Sequence, residues 1–185
     1  MLVKPTTIPG CFEIQPKIFR DDRGMFVKTM QQDAFSQFGL ECNFVEQFYT
    51  VSRPRVIRGL HLQLPPHAHA KLVYCIAGSA VDTVLDLRVG SPTFRHHYML
   101  ELSAEKGNMI YIPQGLAHGF CTPETTATMV YCVTSAHAPQ DDAGLLWDSA
   151  GIGWPLTDPI LSERDRNLPP LDAFRSPFHF DRVLA

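Results

Sequence analysis

Val56-Ile57-Arg58-Gly59-Leu60-His61-Leu62-Gln63 is the stretch around which the chain is organised. Apolar Ile57 and Leu60 can anchor the backbone in a strand, while Arg58, His61 and Gln63 supply a charge, a base and an amide. A second imidazole, His118, stands in Tyr111-Ile112-Pro113-Gln114-Gly115-Leu116-Ala117-His118-Gly119-Phe120, between two further apolar runs. Both stretches read as strand ends, and an all-β container lets them face one another across a cavity, as an acid/base site requires.

Outward from this stretch the pattern stays β. Runs at 44–52, 56–63, 71–77, 80–88, 94–102, 108–112, 119–122 and 127–134 are short, rich in β-branched and aromatic residues, and separated by turn residues. That spacing fits a sandwich, jelly roll or barrel. In the run 80–88, Ala80, Asp82, Val84, Asp86 and Arg88 alternate with Val81, Thr83, Leu85 and Leu87, which assigns one apolar face and one face carrying acids. Residues 1–20, broken by Pro5, Pro9 and Pro16, read as one or two edge strands, and Asp21-Asp22-Arg23-Gly24 as a turn. A short helix is predicted from Asp33 to Gly39, with Asp33 as N-cap, Phe35 and Phe38 on one face and Gly39 ending it. Beyond residue 138 the Pro-, Asp- and Gly-rich chain reads as loops with a few helical turns wrapping the barrel.

With 185 residues and 45% hydrophobic content, the chain reads as one domain, 1–185. A net charge of −3 gives no basic character to hold nucleic acid or anionic lipid, so an anionic ligand must be met by a few local cations. No stretch approaches the length of a membrane span, and the start lacks the apolar core of a secretion signal, which reads as a cytoplasmic protein. Five cysteines, without a C-x-x-C pair and mostly inside apolar runs, read as buried free thiols.

Gly107, Pro113, Gly115 and His118 resemble the second motif of the cupin superfamily, whose fold is a double-stranded β-helix. The surrounding text is more specific. Asp22-Arg23-Gly24-x-Phe26, Arg58-Gly59-Leu60-His61-x-Gln63-x-Pro65-Pro66, Lys71-Leu72-Val73, Asp82-x-Val84-x-Asp86-x-Arg88-x-x-Ser91-Pro92-Thr93, Ile112-Pro113-x-Gly115-x-Ala117-His118-Gly119-Phe120 and Trp154-Pro155 occur in the order seen in the dTDP-4-dehydrorhamnose 3,5-epimerase family. The resemblance covers residues 7–171. It implies an all-β cupin jelly roll with short peripheral helices, a homodimer, and cofactor-free epimerisation at C3 and/or C5 of a nucleotide-linked 4-keto-6-deoxy sugar in polysaccharide or glycoside precursor synthesis. The C4 carbonyl acidifies the protons on its neighbouring carbons, so the enzyme needs a base, an oxyanion partner and a donor on the other face.

By resemblance, His61 is the base, Asp165 the carboxylate that orients it, and Lys71 the cation on the enolate oxygen. Arg23, Arg58 and His118 are contacts to sugar or diphosphate, and Phe26, Gln47, Gln63 and Tyr131 complete the substrate set. The family's Tyr-x-Pro, which supplies the proton donor, reads His137-Ala138-Pro139 here. His137 is then either a replacement donor or a loop residue at the cavity rim. Where dTDP-type members read Gln-Asp-Asn this chain has Glu46-Gln47-Phe48, and Lys28 stands where they have a glutamate, so GDP- or CDP-linked sugars compete with dTDP-linked ones.

Taken alone, Asp82 and Asp86 read as strand acids facing solvent, Arg23 as the partner of Asp22 or another surface acid, and His118 as a hydrogen-bonded core histidine. Competing functions are a 3,4-ketoisomerase, a sugar-nucleotide-binding cupin without activity, and a metal-dependent cupin using His67, His69 and His118. Against the last, the position of the metal cupins' glutamate is Lys71, a cation that repels a divalent ion, and no metal ligand is assigned.

Overall fold

The computed structural model describes residues 1–180; the last five residues of the expected domain, 181–185, lie outside them. In chain order the elements are β1 (Leu2–Pro5), β2 (Phe12–Gln15), β3 (Ile18–Asp21), β4 (Gly24–Val27), α1 (Gln32–Ser36), β5 (Glu46–Ser52), β6 (Val56–Gln63), β7 (Lys71–Ala77), β8 (Ser79–Asp86), β9 (His97–Ser103), β10 (Met109–Ile112), β11 (Leu116–Thr122), β12 (Ala127–Val133), β13 (Asp142–Gly144) and α2 (Glu163–Arg166). Two antiparallel sheets, ordered β1-β2-β10-β7-β12-β5 and β13-β6-β11-β8-β9, make the jelly roll, and β3 and β4 form a separate ribbon. The expected all-β cupin class with peripheral helices is the fold observed.

Strand alternation explains why most runs look apolar on both sides. Val73, Cys75, Val84, Ile110, Phe120 and Met129 meet between the sheets. The alternate residues Leu72, Tyr74, Met109 and Val130 pack outward under Phe35 and Leu40, while Leu60, Leu62, Leu85 and Ala117 pack outward under Leu145, Ile152, Leu171 and Phe178. The segment after residue 138 thus covers the second sheet, as expected. It also adds β13, a strand not foreseen, which pairs Gly144 with His61.

This layering corrects the reading of β8. Both of its faces are covered, so Asp82 and Asp86 are fully buried rather than solvent-facing. A buried carboxylate needs donors. Asp86 receives the Arg88 guanidinium at 2.8 Å, Ser91 Oγ at 2.6 Å and Thr93 Oγ1 at 2.8 Å, and Asp82 meets His118. The helix is also shorter than predicted. It begins after Gln31, leaves Asp33 in its first turn rather than at the cap, and ends at Ser36, so only Phe35 is buried and Phe38 is exposed. Gly39 does terminate it, with φ +67°, and lets the Leu40 N–H donate to the Phe35 carbonyl. The five cysteines are free thiols, four of them buried.

Gly59 positions the site. Against β11 the register passes from His118↔His61 to Phe120↔Arg58, so β6 carries one extra residue there. The bulge brings Arg58 and His61, three residues apart, to the same inner face, while Leu60 and Leu62 point outward. Gly59 has φ +127°, and a Cβ there would stand 2.6 Å from Gly119 Cα and 2.9 Å from the His118 carbonyl oxygen. Gly59→Ala is expected to cost about 2–4 kcal/mol in strain and overpacking. Thermal denaturation followed by circular dichroism checks this, as a drop of about 5–15 °C in midpoint.

Candidate active site

A cleft of about 290 Å³ opens between the sheets. The second sheet contributes His61 from β6 and His118 from β11. These are register partners on adjacent strands, so they stand side by side on one wall, not opposite one another as the sequence suggested. What faces them comes from the first sheet: Lys71 on β7, Tyr131 on β12, and Phe48 and Thr50 on β5 all line the same cleft.

His61 Nε2 lies 2.7 Å from Asp165 Oδ1. Asp165 is held by α2, where its N–H donates to the capping Ser162 Oγ at 3.0 Å, and it also accepts from the Gly59 N–H at 3.5 Å. Burial alone would favour the neutral acid, but the hydrogen bond from His61 leads a set of interactions that hold the Asp165 carboxyl below its usual range. An ionised carboxylate only accepts, so Nε2 carries the imidazole proton and Nδ1 keeps its lone pair. Burial pushes the His61 pKa below its ordinary value, with Asp165 opposing. The resting imidazole is a free base.

The Lys71 ammonium reaches the His61 carbonyl at 3.4 Å. Burial brings its pKa down to about 8, against the opposing charges of Asp142 and Asp82. Arg58 is anchored through Nε to Ser52 Oγ at 2.9 Å. Neither cation has a salt-bridge partner among the described residues, which leaves both for an anionic ligand.

Tyr131 is packed from three sides. Phe48 stacks on it at 4.8 Å and 12°, His118 meets it edge-on at 6.0 Å, and its hydroxyl lies 3.4 Å from Thr50 Oγ1. Burial raises its pKa, which keeps the phenol protonated. His118 is itself bonded to Asp82 at 2.8 Å in a buried pair. It is therefore both a hydrogen-bonded core histidine and a cleft residue.

The remaining candidates divide. His137 sits exposed on the cleft rim, its N–H donating to Glu46 Oε2 at 2.8 Å. Gln63 lines the cleft, but its amide is spent inside the protein: it donates to the His67 carbonyl at 2.8 Å and accepts from the Ala138 N–H at 2.7 Å. Gln47 is corrected outright. On β5, Glu46, Phe48 and Thr50 face the cleft, so period-2 alternation turns Gln47 to the other face, where it meets Cys132 Sγ. Arg23 and Phe26, on the β3–β4 ribbon, do not line the cleft. Arg23 pairs with Asp21 at 2.6 Å with 90% of its side chain exposed, and Phe26 is 59% exposed.

Sequence reasoning assigned no role to Thr50, Asp142 and Arg164, and marked Glu46 only as a departure from the family's text and His69 only as a metal candidate; all five line the cleft. The signal for Glu46 and Thr50 was their alternation with Phe48. The Asp142–Arg164 pair, at 2.8 Å, joins segments that no local pattern connects. His67 is engaged by Asp141 at 2.6 Å and His69 lies against Gln63. Among the described residues no three His, Cys, Asp or Glu side chains converge as a metal site, and no helix is long and apolar enough to cross a membrane.

The family model for dTDP-4-dehydrorhamnose 3,5-epimerase matches residues 5–173. The chain is 39% identical over 170 residues to dTDP-4-dehydrorhamnose 3,5-epimerase of Shigella flexneri, covering 90% of this chain and 94% of that protein. Among solved structures it is similar to dTDP-6-deoxy-D-glucose-3,5-epimerase of Legionella pneumophila in complex with dTDP-4-keto-L-rhamnose, with a TM-score of 0.92, 30% identity, and 97% and 99% of the two chains covered. It is also similar to a histidine-to-asparagine, tyrosine-to-phenylalanine double mutant of ChmJ, a 3'-monoepimerase of Streptomyces bikiniensis, with a TM-score of 0.86, 31% identity, and coverages of 91% and 87%. The extent of these matches and the cleft's His-Asp-Lys-Tyr set agree: the chain belongs to the dTDP-4-dehydrorhamnose 3,5-epimerase family.

Proposed function

We propose that the cleft inverts C3 and/or C5 of a nucleotide-linked 4-keto-6-deoxy sugar, with His61 as the base and Tyr131 as the proton donor. The carrying observation is the placement of groups on opposite walls: an oriented imidazole on one sheet, a half-buried ammonium and a protonated phenol on the other. His61 Nδ1 takes the proton from the carbon beside the C4 ketone, and the C–H electron pair moves onto the carbonyl oxygen. Lys71 offsets the charge of that enolate. A proton delivered from Tyr131, on the far face, completes inversion; solvent then reprotonates the phenolate and takes the substrate's proton from His61. Arg58, which has no salt-bridge partner among the described residues, meets the diphosphate.

The donor role moves here from His137 to Tyr131. The phenol lies in the cleft against His118, whereas His137 is on the rim. The two positions exchanged in the ChmJ double mutant are 70 residues apart, and His61 and Tyr131 have the same separation. Arg23 and Phe26 retain a substrate role if the protein is a homodimer in which the ribbon of a second copy reaches the cleft. The exposed Phe19, Met25 and Phe26 of that ribbon fit burial in such a pair.

The test is solvent deuterium incorporation at C3 and C5 across dTDP-, GDP- and CDP-linked 4-keto-6-deoxy sugars. Incorporation into none of them overturns the reading. The pH dependence follows from the two shifted groups. His61 must be neutral, so activity falls as pH drops through its depressed pKa, below about 6.5. Lys71 must be charged, so activity also falls as pH rises through about 8. A kcat/KM profile with both limbs checks this, and a plateau extending beyond pH 10 would exclude Lys71 as the charged partner.

A further inference from the structure

The structure assigns Glu46 as a specificity residue whose carboxylate accepts hydrogen bonds from ligand hydroxyls at the cleft mouth. This rests on the cleft being the nucleotide-sugar site. The other acids in or behind the cleft are each matched to a cation or imidazole: Asp142 with Arg164 at 2.8 Å, Asp165 with His61 at 2.7 Å, and Asp82 with His118 at 2.8 Å. Glu46 has no such partner among the described residues. Its Oε2 accepts only the His137 N–H at 2.8 Å, which fixes the carboxylate, and its Oε1 has no partner while the residue lines the cleft.

An unneutralised carboxylate repels the diphosphate that Arg58, which has no salt-bridge partner among the described residues, attracts. An amide at this position accepts and donates, whereas a carboxylate only accepts, with bonds about twice as strong. The arrangement is therefore favourable only toward a ligand that brings donors. Two parts of a nucleotide sugar offer them: the ribose 2'-hydroxyl, a group that carboxylates bind in dinucleotide sites, and the hydroxyls of the hexose. Glu46 stands in the register row Glu46–Val133–Lys71, two strands from Lys71, at the rim beside His137. It is placed to select the ligand rather than to move a proton.

Calorimetric titration of wild type, Glu46→Gln and Glu46→Ala separates the sources. The probes are dTDP, 5-methyluridine 5'-diphosphate, which differs from dTDP only by the 2'-hydroxyl, and dTDP-glucose, which adds sugar hydroxyls but has no ketone to react. Glu46→Gln keeps the size of the side chain and an acceptor for the His137 N–H, so its effect reports the charge. If the ribose is read, wild type prefers the ribonucleotide to dTDP by about tenfold or more. If the hexose is read, dTDP-glucose holds that advantage over dTDP. Either preference shrinks in Glu46→Gln and disappears in Glu46→Ala. Equal discrimination by all three proteins overturns the assignment. Every arm is a binding measurement, so it stands apart from the deuterium assay, which alone decides the catalytic reading.

Discussion

His61→Asn is expected to lower solvent deuterium incorporation by about 10²–10⁴-fold while leaving dTDP binding within about twofold. Asparagine can keep a hydrogen bond to Asp165, but has no lone pair of basicity comparable to that of the free Nδ1. The loss should appear in kcat and kcat/KM alike, since the proton is shared with the base only in the transition state. Exchange near the wild-type rate would remove His61 from the mechanism. Asp165→Asn should be milder, because the imidazole remains. Without the carboxylate that opposes the burial effect, the acid limb of its pH profile should move to lower pH. An acid limb that stays in place would mean that Asp165 does not tune the base.

Strand periodicity made much of this legible. Val56–Gln63 and Lys71–Ala77 are strands over the residues their composition suggested. Alternation states which residues share a face, but not which face is the inside. That comes from the partner strands, and it is why Gln47 and Glu46 exchanged roles and why Asp82 and Asp86 moved from solvent to core. The bulge at Gly59 breaks the period at the one point where the site depends on it, and only Gly119 packed against it reveals why glycine is required. His61 and His118 were both found from their motifs. Their adjacency depends on β6 pairing with β11 across more than fifty residues, a non-local fact no window of sequence contains.

The tyrosine illustrates the same limit with a larger consequence. His137 drew attention because of the Pro139 two residues on, whereas Tyr131, six residues earlier, was given only a substrate-binding role. In the fold, β12 turns Tyr131 inward and Phe48 on β5 holds its ring. Tyr131→Phe keeps that stack and removes only the hydroxyl. Inversion at the carbons that the wild type inverts should fall by about 10²-fold or more, while deuterium exchange at C3 persists, because His61 can return a solvent-derived proton to the face it came from. His137→Ala should change inversion by less than about threefold. Stereochemical analysis of the product by NMR, with deuterium followed separately at C3 and C5, reads both variants. The contrast between exchange and inversion is diagnostic, since a misfolded variant would lose both. If Tyr131→Phe inverts normally and His137→Ala does not, the donor is the imidazole at the rim, and the phenol only closes the cleft.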